Sequence, residues 1–243
     1  MQSPRRVLFF QHLEVEHPGV FRDFLAADGH SSEIVEFDRG DKIPALDEFD
    51  ALWVMGGPMD VWEESDYGWL RAEKAVIREA VLSRRLPYLG FYLRHQLLGD
   101  ALGGHVGRAA ESEVGIMPVT CSAAGRASPF LEAISLSLEV LQWHGAEIIT
   151  PPMDAQILMS SACCTNQAMS VGSRAFSMQF HLEITAETVC DWCKIPAYAD
   201  ALTKILGEGG AERLKSQVAD VLPQLNFYAR KIYENWKKTT GFG

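Results

Sequence analysis

Positive charge is in short supply. The chain's 22 Lys and Arg stand against 32 Asp and Glu, a formal net charge of −10. A nucleic-acid surface needs clustered Lys and Arg to neutralise phosphates, so this balance argues against one. Long apolar runs are also missing. No stretch approaches the roughly 20 residues of a membrane helix, so no membrane contact is expected. The apolar stretch Val7 to Phe10 is shorter than the ~7–15 residues of a secretory h-region. It reads as a first strand. Cysteine is sparse and uneven: Cys121, Cys163, Cys164, Cys190 and Cys193 form no even framework. Reduced thiols in a cytoplasm are the expectation. The chain also lacks internal repeats, low-complexity segments and any linker that would divide it. What remains suits one domain, or one domain with an appendage. At 243 residues and 47% hydrophobic, a large core is within reach.

Short apolar runs alternate with helical patterns through the first hundred residues. Arg6 to Gln11 reads as a buried parallel strand and Gly19 to Ala27 as a helix. Glu33 to Phe37 and Ala51 to Met55 follow as strands, the latter closed by Gly56-Gly57-Pro58. Trp69 to Ser83 is an amphipathic helix with Leu70, Ala75, Val76, Ile77, Ala80 and Val81 expected inward. Pro87 to Gly90 is a fourth strand, and Leu93 to Leu102 a helix ended by Gly103-Gly104. Such alternation predicts a mainly parallel central sheet flanked by helices. The middle differs. Glu113 to Val119, Leu136 to Trp143, Gln156 to Ser160, Gln167 to Val171 and Ala175 to Phe180 are strand-like, with little helix between them. They extend the sheet or form an antiparallel flap. Thr185 reads as the N-cap of a helix running to Cys193, with Glu187 in its first turn. Ala211 to Lys238 is helical, with a kink or break at Pro223.

Four segments carry chemistry together. They are Val54-Met55-Gly56-Gly57-Pro58-Met59, Pro87 to Leu98, Gln142-Trp143-His144-Gly145, and Met178-Gln179-Phe180-His181-Leu182-Glu183. In order and spacing they resemble the class I glutamine amidotransferases. The nearest branch is the free-standing one that resembles GMP synthase amidotransferase domains and γ-glutamyl peptidases. The resemblance covers roughly residues 6–195. It implies a flavodoxin-like α/β fold, with residues 1–195 as the amidotransferase-like domain. Residues 196–243 would be a C-terminal helical extension packed on the same domain. In that family a cysteine at a strand-to-helix turn attacks the glutamine side-chain amide. A histidine activates it, and a carboxylate two residues along orients the histidine. By resemblance, His181 is the base and Glu183 its orienter. Gly57 and Leu93 are the backbone oxyanion donors. Gln96 and His144 belong to the substrate pocket. No cofactor and no metal are implied; His144, His181 and Glu183 lack a zinc spacing.

The nucleophile turn departs from the family pattern. Where relatives read Gly-x-Cys-x-Gly-His-Gln, this chain reads Gly90-Phe91-Tyr92-Leu93-Arg94-His95-Gln96. Tyr92 replaces the cysteine and Arg94 replaces a glycine. Ala146 follows His144-Gly145, where relatives usually carry an acidic residue. A phenol titrates near 10 and is far bulkier than a thiol. Tyr92 is then either a plug or a residue with a new role, and Arg94 either a surface residue or a carboxylate clamp. Glu183, Glu63 and Glu64 are its candidate partners. These changes predict a pseudoenzyme without ordinary glutaminase activity. It would bind a small glutamine-like or γ-glutamyl compound, or a partner protein such as a synthase. The alternative is an active enzyme with altered chemistry on such a substrate, using His181 and Glu183. A third reading brings Cys163 or Cys164 to His181. The Cys190-x-x-Cys193 pair lies on a helix without the strand a thioredoxin motif needs, and reads as ordinary.

Overall fold

The residues of β1 (Arg6–Gln11) alternate between two apolar layers, because successive strand side chains point to opposite faces. Val7 and Phe9 join one buried cluster, and Leu8 and Phe10 the other. A strand covered on both faces must be apolar throughout, and β3 (Ala51–Val54) and β4 (Tyr88–Phe91) are likewise wholly buried. The computed structural model describes residues 3–243, with Arg94 described by its backbone alone.

The sheet has nine strands in the order β2-β1-β3-β4-β9-β8-β7-β5-β6. The first five, with β2 at Ser31–Glu36 and β9 at Ala175–Met178, pair in parallel. The other four are β5 (His105–Cys121), β6 (Ser137–Thr150), β7 (Ala155–Ser160) and β8 (Ala168–Val171), and they pair antiparallel. The strand-rich middle therefore extends the sheet, which is mixed: four strand pairs are parallel and four antiparallel. One reason is connectivity. Residues 105–178 lack crossover helices, and without one a strand returns beside its predecessor in the opposite direction.

Helices cover both faces. α1 (Val20–Ala27) and α7 (Gly210–Thr240) lie on one side. On the other lie α2 (Trp69–Arg78), extended by a π-helical turn at Glu79–Ser83, and α3 (Leu93–Ala101). The buried residues of α2 are Leu70, Glu73 and Ile77, whereas Ala75 is exposed. α7 runs unbroken through Pro223. Leu214, Val218, Leu225, Ala229, Ile232 and Trp236 form its apolar stripe, at spacings of three to seven residues. Trp236 donates its indole N–H to the Tyr88 carbonyl at 2.9 Å, fastening α7 to β4. Three further α-helices are α4 (Ala123–Ala127), α5 (Thr188–Trp192) and α6 (Pro196–Leu206). The helix expected from Thr185 begins three residues later. Thr185 instead gives its backbone N–H to the Thr188 hydroxyl at 2.9 Å, closing a turn ahead of α5, and Glu187 occupies the N-cap. Among the described residues no helix is long and apolar enough to cross a membrane.

Strand register decides where chemistry can occur. Phe10 lies beside Val54, Val54 beside Gly90, and Phe91 beside Met178. The carboxyl ends of β1, β3, β4 and β9 are therefore level. The chain leaves β1 to one side and re-enters at β3 on the other. That reversal makes a switch point, where open α/β sheets bind ligands.

Candidate active site

Tyr92 alone turns the chain from β4 into α3. Its φ of 59° and ψ of −114° lie where bulky residues rarely sit. Such a conformation costs on the order of 1–3 kcal/mol and must be held from outside. Its N–H donates to the Met178 carbonyl at 2.8 Å, and its carbonyl accepts the His95 N–H at 2.9 Å. The elbow is thus tied to β9 just ahead of His181. The Tyr92 and His181 ring centroids lie 5.4 Å apart, with planes inclined by 34°. Desolvation pushes the phenol up, and the Glu16 and Asp60 carboxylates add to the effect. Tyr92 at neutral pH is therefore a protonated hydrogen-bonding group and not a phenolate.

His181 is held on three sides. Its backbone N–H donates to Leu141 of β6 at 2.9 Å. Its Nδ1 lies 2.7 Å from Glu183 Oε1, and Trp192 stands edge-on at 4.6 Å. Glu183 Oε2 in turn accepts the Leu182 N–H at 3.0 Å. With Nδ1 committed to the carboxylate, Nε2 is the nitrogen left for chemistry. The segment is clamped by its carbonyls as well. Glu183 O accepts the Val20 N–H at 2.9 Å, and Asn226 of α7 donates to Ile184 O at 3.0 Å and Leu182 O at 3.4 Å.

Gly56 and Gly57 close β3 beneath this pair. A Cβ on Gly56 would lie 2.0 Å from Glu16 Oε2. One on Gly57 would lie 2.4 Å from Met59 Sδ, 3.0 Å from His12 Cβ and 3.2 Å from Leu93 Cδ2. A side chain at Gly56 would have to displace the Glu16 carboxylate and one at Gly57 the Met59 thioether, and Gly57 abuts Leu93 across the site.

A cavity of about 150 Å³ opens beside the elbow, lined by Pro58, Tyr92, Trp143, His144, Tyr198 and Ile205 among others. Tyr198 and Ile205 come from α6. Tyr198 also donates to Glu16 Oε1 at 2.7 Å, closing α6 over the inner end, where Tyr92, Trp143, His181 and Trp192 meet. The Trp143 indole N–H is buried without an acceptor among the described residues. His144 sits opposite Glu113 in the β5–β6 register. Its Nε2 lies 3.0 Å from Glu113 Oε2, and its Nδ1 3.1 Å from the Ala146 carbonyl. Burial works to raise the Glu113 carboxyl, but hydrogen bonds from His144, Ser161 and Gln167 outweigh it and hold it below its usual range.

Two residues expected in the pocket stand elsewhere or outside view. Gln96 does not line the cavity; it is buried and donates to Ala146 O at 3.0 Å and Gln179 Oε1 at 3.2 Å. Arg94 lies in the first turn of α3, and its side chain is outside the described residues, as is its expected pairing with Glu183, Glu63 or Glu64. Cys163 and Cys164 do not line the cavity either. Burial raises the Cys164 thiol, and a hydrogen bond to Glu111 raises the exposed Cys163 thiol. Both shifts run against an activated thiolate.

A level row of strand ends, a strained elbow at β4 and a His–Glu pair at β9 make a testable signature. The profile of the class I glutamine amidotransferases matches residues 21–189. The chain belongs to that family. A glutamine amidotransferase-like protein of Salmonella typhimurium, YfeJ, is 33% identical over 188 residues, covering 76% of this chain and 78% of the relative. A subunit of the glutamine-hydrolyzing GMP synthase of Saccharolobus solfataricus is 33% identical over 143 residues, 58% of this chain and 71% of the relative. The crystal structure of a glutamine amidotransferase from Thermotoga maritima superposes with a TM-score of 0.85 at 28% identity, covering 97% of this chain and 99% of the other.

Sequence reasoning missed several residues that the structure places at or behind this candidate site: His12, Glu16, Glu73, Glu113 and Tyr198. Only Glu73 left a usable signal. It falls between Leu70 and Ile77 on the buried stripe of α2, where a carboxylate is out of place.

Proposed function

We propose that this amidotransferase-family chain binds an amino-acid-sized ligand of glutamine-like or γ-glutamyl type and lacks ordinary glutaminase turnover. The observation that carries this reading is Tyr92 in the strained elbow with its ring on the His181 side. A residue serving only as filler would be free to relax to ordinary backbone angles. Strain that persists at a site is usually held there by function. The cavity of about 150 Å³ is below the ~300–1,000 Å³ of drug-sized pockets, which suits one amino-acid-like moiety. A protonated phenol cannot replace a thiolate in attack on an amide.

A second reading rests on the intact His181–Glu183 contact of 2.7 Å. In that reading His181 Nε2 serves as acid/base on a γ-glutamyl-type substrate, with the Tyr92 hydroxyl as a hydrogen-bonding partner. The likeness to one subunit of a GMP synthase also makes a synthase-type partner protein part of the proposal.

Ammonia release from glutamine by the wild-type chain and by a Tyr92→Cys/Arg94→Gly variant tests both. Removing the nucleophile of a coupled set costs around 10⁶-fold in rate. Wild-type turnover is expected below about 0.1 s⁻¹, with activity gained in the variant. Steady wild-type turnover above that level would overturn the first reading. Hydrolysis of γ-glutamyl amides by wild type, lost in His181→Ala, would establish the second.

A further inference from the structure

His12 and Glu73 are both fully buried and take no part in the chemistry described so far. His12 follows the last residue of β1, at the switch point beside β3. Its Nδ1 lies 2.7 Å from the Gly56 carbonyl oxygen. Its Nε2 lies 3.0 and 3.2 Å from the two oxygens of Glu73. A carbonyl can only accept, so the Nδ1 facing it carries a proton. A second proton lies between Nε2 and Glu73, whichever of the two formally owns it. The ring also stacks on Trp69 at 5.0 Å and Phe37 at 5.5 Å, which fixes its plane.

Burying an ionisable pair this deep is weak evidence for stability, since apolar residues of similar volume often serve as well. What the pair does define is one peptide orientation. Gly56 and Gly57 have no side chains, and a Cβ at either would crowd Glu16, Met59 or His12. A Gly-Gly peptide rotates between two orientations at little steric cost. The peptide is trans, so its C=O and N–H point in opposite directions. Holding the Gly56 carbonyl therefore fixes the Gly57 N–H.

We propose that His12, braced by Glu73, is the positioning residue of this loop: it grips the Gly56 carbonyl and so turns the Gly57 N–H towards the reacting centre between Tyr92, Leu93 and His181. The proposal rests on Gly57 being an oxyanion donor, the role that the family resemblance implies for it. Donors preorganised in this way stabilise a transition state more than a ground state.

The test has two arms. The first needs no turnover: crystal structures of wild type and His12→Phe, which keeps the aromatic stack but removes the donor. The Gly56–Gly57 peptide is expected to flip or to occupy two orientations in His12→Phe. His12→Asn, whose amide N–H can reach the same carbonyl, is expected to keep the wild-type orientation. The second arm uses the thiol-restored Tyr92→Cys/Arg94→Gly chain. Adding His12→Phe is expected to lower kcat by about 10²-fold while KM changes less than about threefold, and His12→Asn to recover most of the loss. A merely structural role would move kcat, KM and Tm together and would not distinguish Asn from Phe. If His12→Phe does not fold, Glu73→Gln serves, with a smaller kcat loss at constant KM expected. An unchanged peptide orientation, or an unchanged kcat in an active thiol-restored chain, would overturn the proposal. An inactive thiol-restored chain with a flipped peptide would instead count against the proposed function and leave the positioning role supported.

Discussion

Tyr92 and His95 sit three residues apart and show how local chemistry sets a residue's state. Tyr92 keeps some exposed surface along the cavity, whereas His95 is wholly enclosed. The Nε2 of His95 donates to the Asn166 carbonyl at 2.6 Å, and its Nδ1 accepts from the Ser177 hydroxyl at 2.9 Å. That arrangement satisfies a neutral ring. Burial lowers its pKa from the ordinary 6.5 to about 4, against the smaller raising effect of the Asn166 carbonyl. Between those values the unfolded chain binds a proton that the folded chain does not. Stability from this residue is therefore complete above pH 6.5 and is lost as pH falls towards 4. The full effect is about 3 kcal/mol. His95→Gln can donate to Asn166 and accept from Ser177 without titrating. Urea unfolding from pH 7 down to 4.5 is expected to show a steeper decline for wild type than for His95→Gln. Parallel declines would show that His95 does not carry this dependence.

Among the elements, α7 is the one whose link to the site was least expected. Asn226, near its middle, donates to the Leu182 and Ile184 carbonyls on either side of Glu183. Asn226→Ala leaves two partly buried carbonyls short of a donor, at a cost of about 1–3 kcal/mol. It should also speed amide exchange at 181–184, read by hydrogen–deuterium exchange. Unchanged exchange there would mean that the Val20–Glu183 and His181–Leu141 bonds hold the segment without Asn226. The sequence revealed elements unevenly, for physical reasons. β1, β3 and β4 were legible because strands buried on both faces are continuous apolar runs between turn residues. The inner part of β5 was legible at Glu113 to Val119, but its start at His105 was not. A register irregularity between Arg108 and Glu113 breaks the alternation there. Thr185 looked like a cap because its residue type fits one, yet a local turn took its N–H first. Ala75 was expected inward beside Val76 and Ile77, but α2 is covered along one stripe only, the one that carries Leu70, Glu73 and Ile77. The site's four motifs were legible as segments. The residues that buttress them were not, because His12, Glu16 and Glu113 acquire meaning only through partners 31 to 182 residues away.

At the scale of the whole molecule, the two halves of the sheet supply different things. The parallel half lines up the strand ends that carry Gly56, Tyr92 and His181, while β5 and β6 supply the wall of Val114, Trp143 and His144. α6 then covers the inner end through the Tyr198–Glu16 hydrogen bond, so that neither half encloses the cavity without it. A ligand held there touches three parts of the fold at once and should stabilise all of them together. For a single site the gain is about 2.7 kcal/mol at a ligand concentration of 100 Kd. In a chain of this size that corresponds to roughly 5–10 °C in Tm. Glutamine and γ-glutamyl dipeptides are the probes to titrate in a thermal-shift series on wild type. At least one is expected to raise Tm by this amount, with the shift reduced in Tyr198→Ala because the cover is lost. Glutamate and unrelated amino acids serve as controls, since a ligand read through its γ-amide should separate them. No shift from any γ-amide or γ-glutamyl compound up to millimolar concentration would rule out an amino-acid ligand at this cavity. It would turn attention to the protein-partner reading, which requires no occupant between Tyr92 and α6.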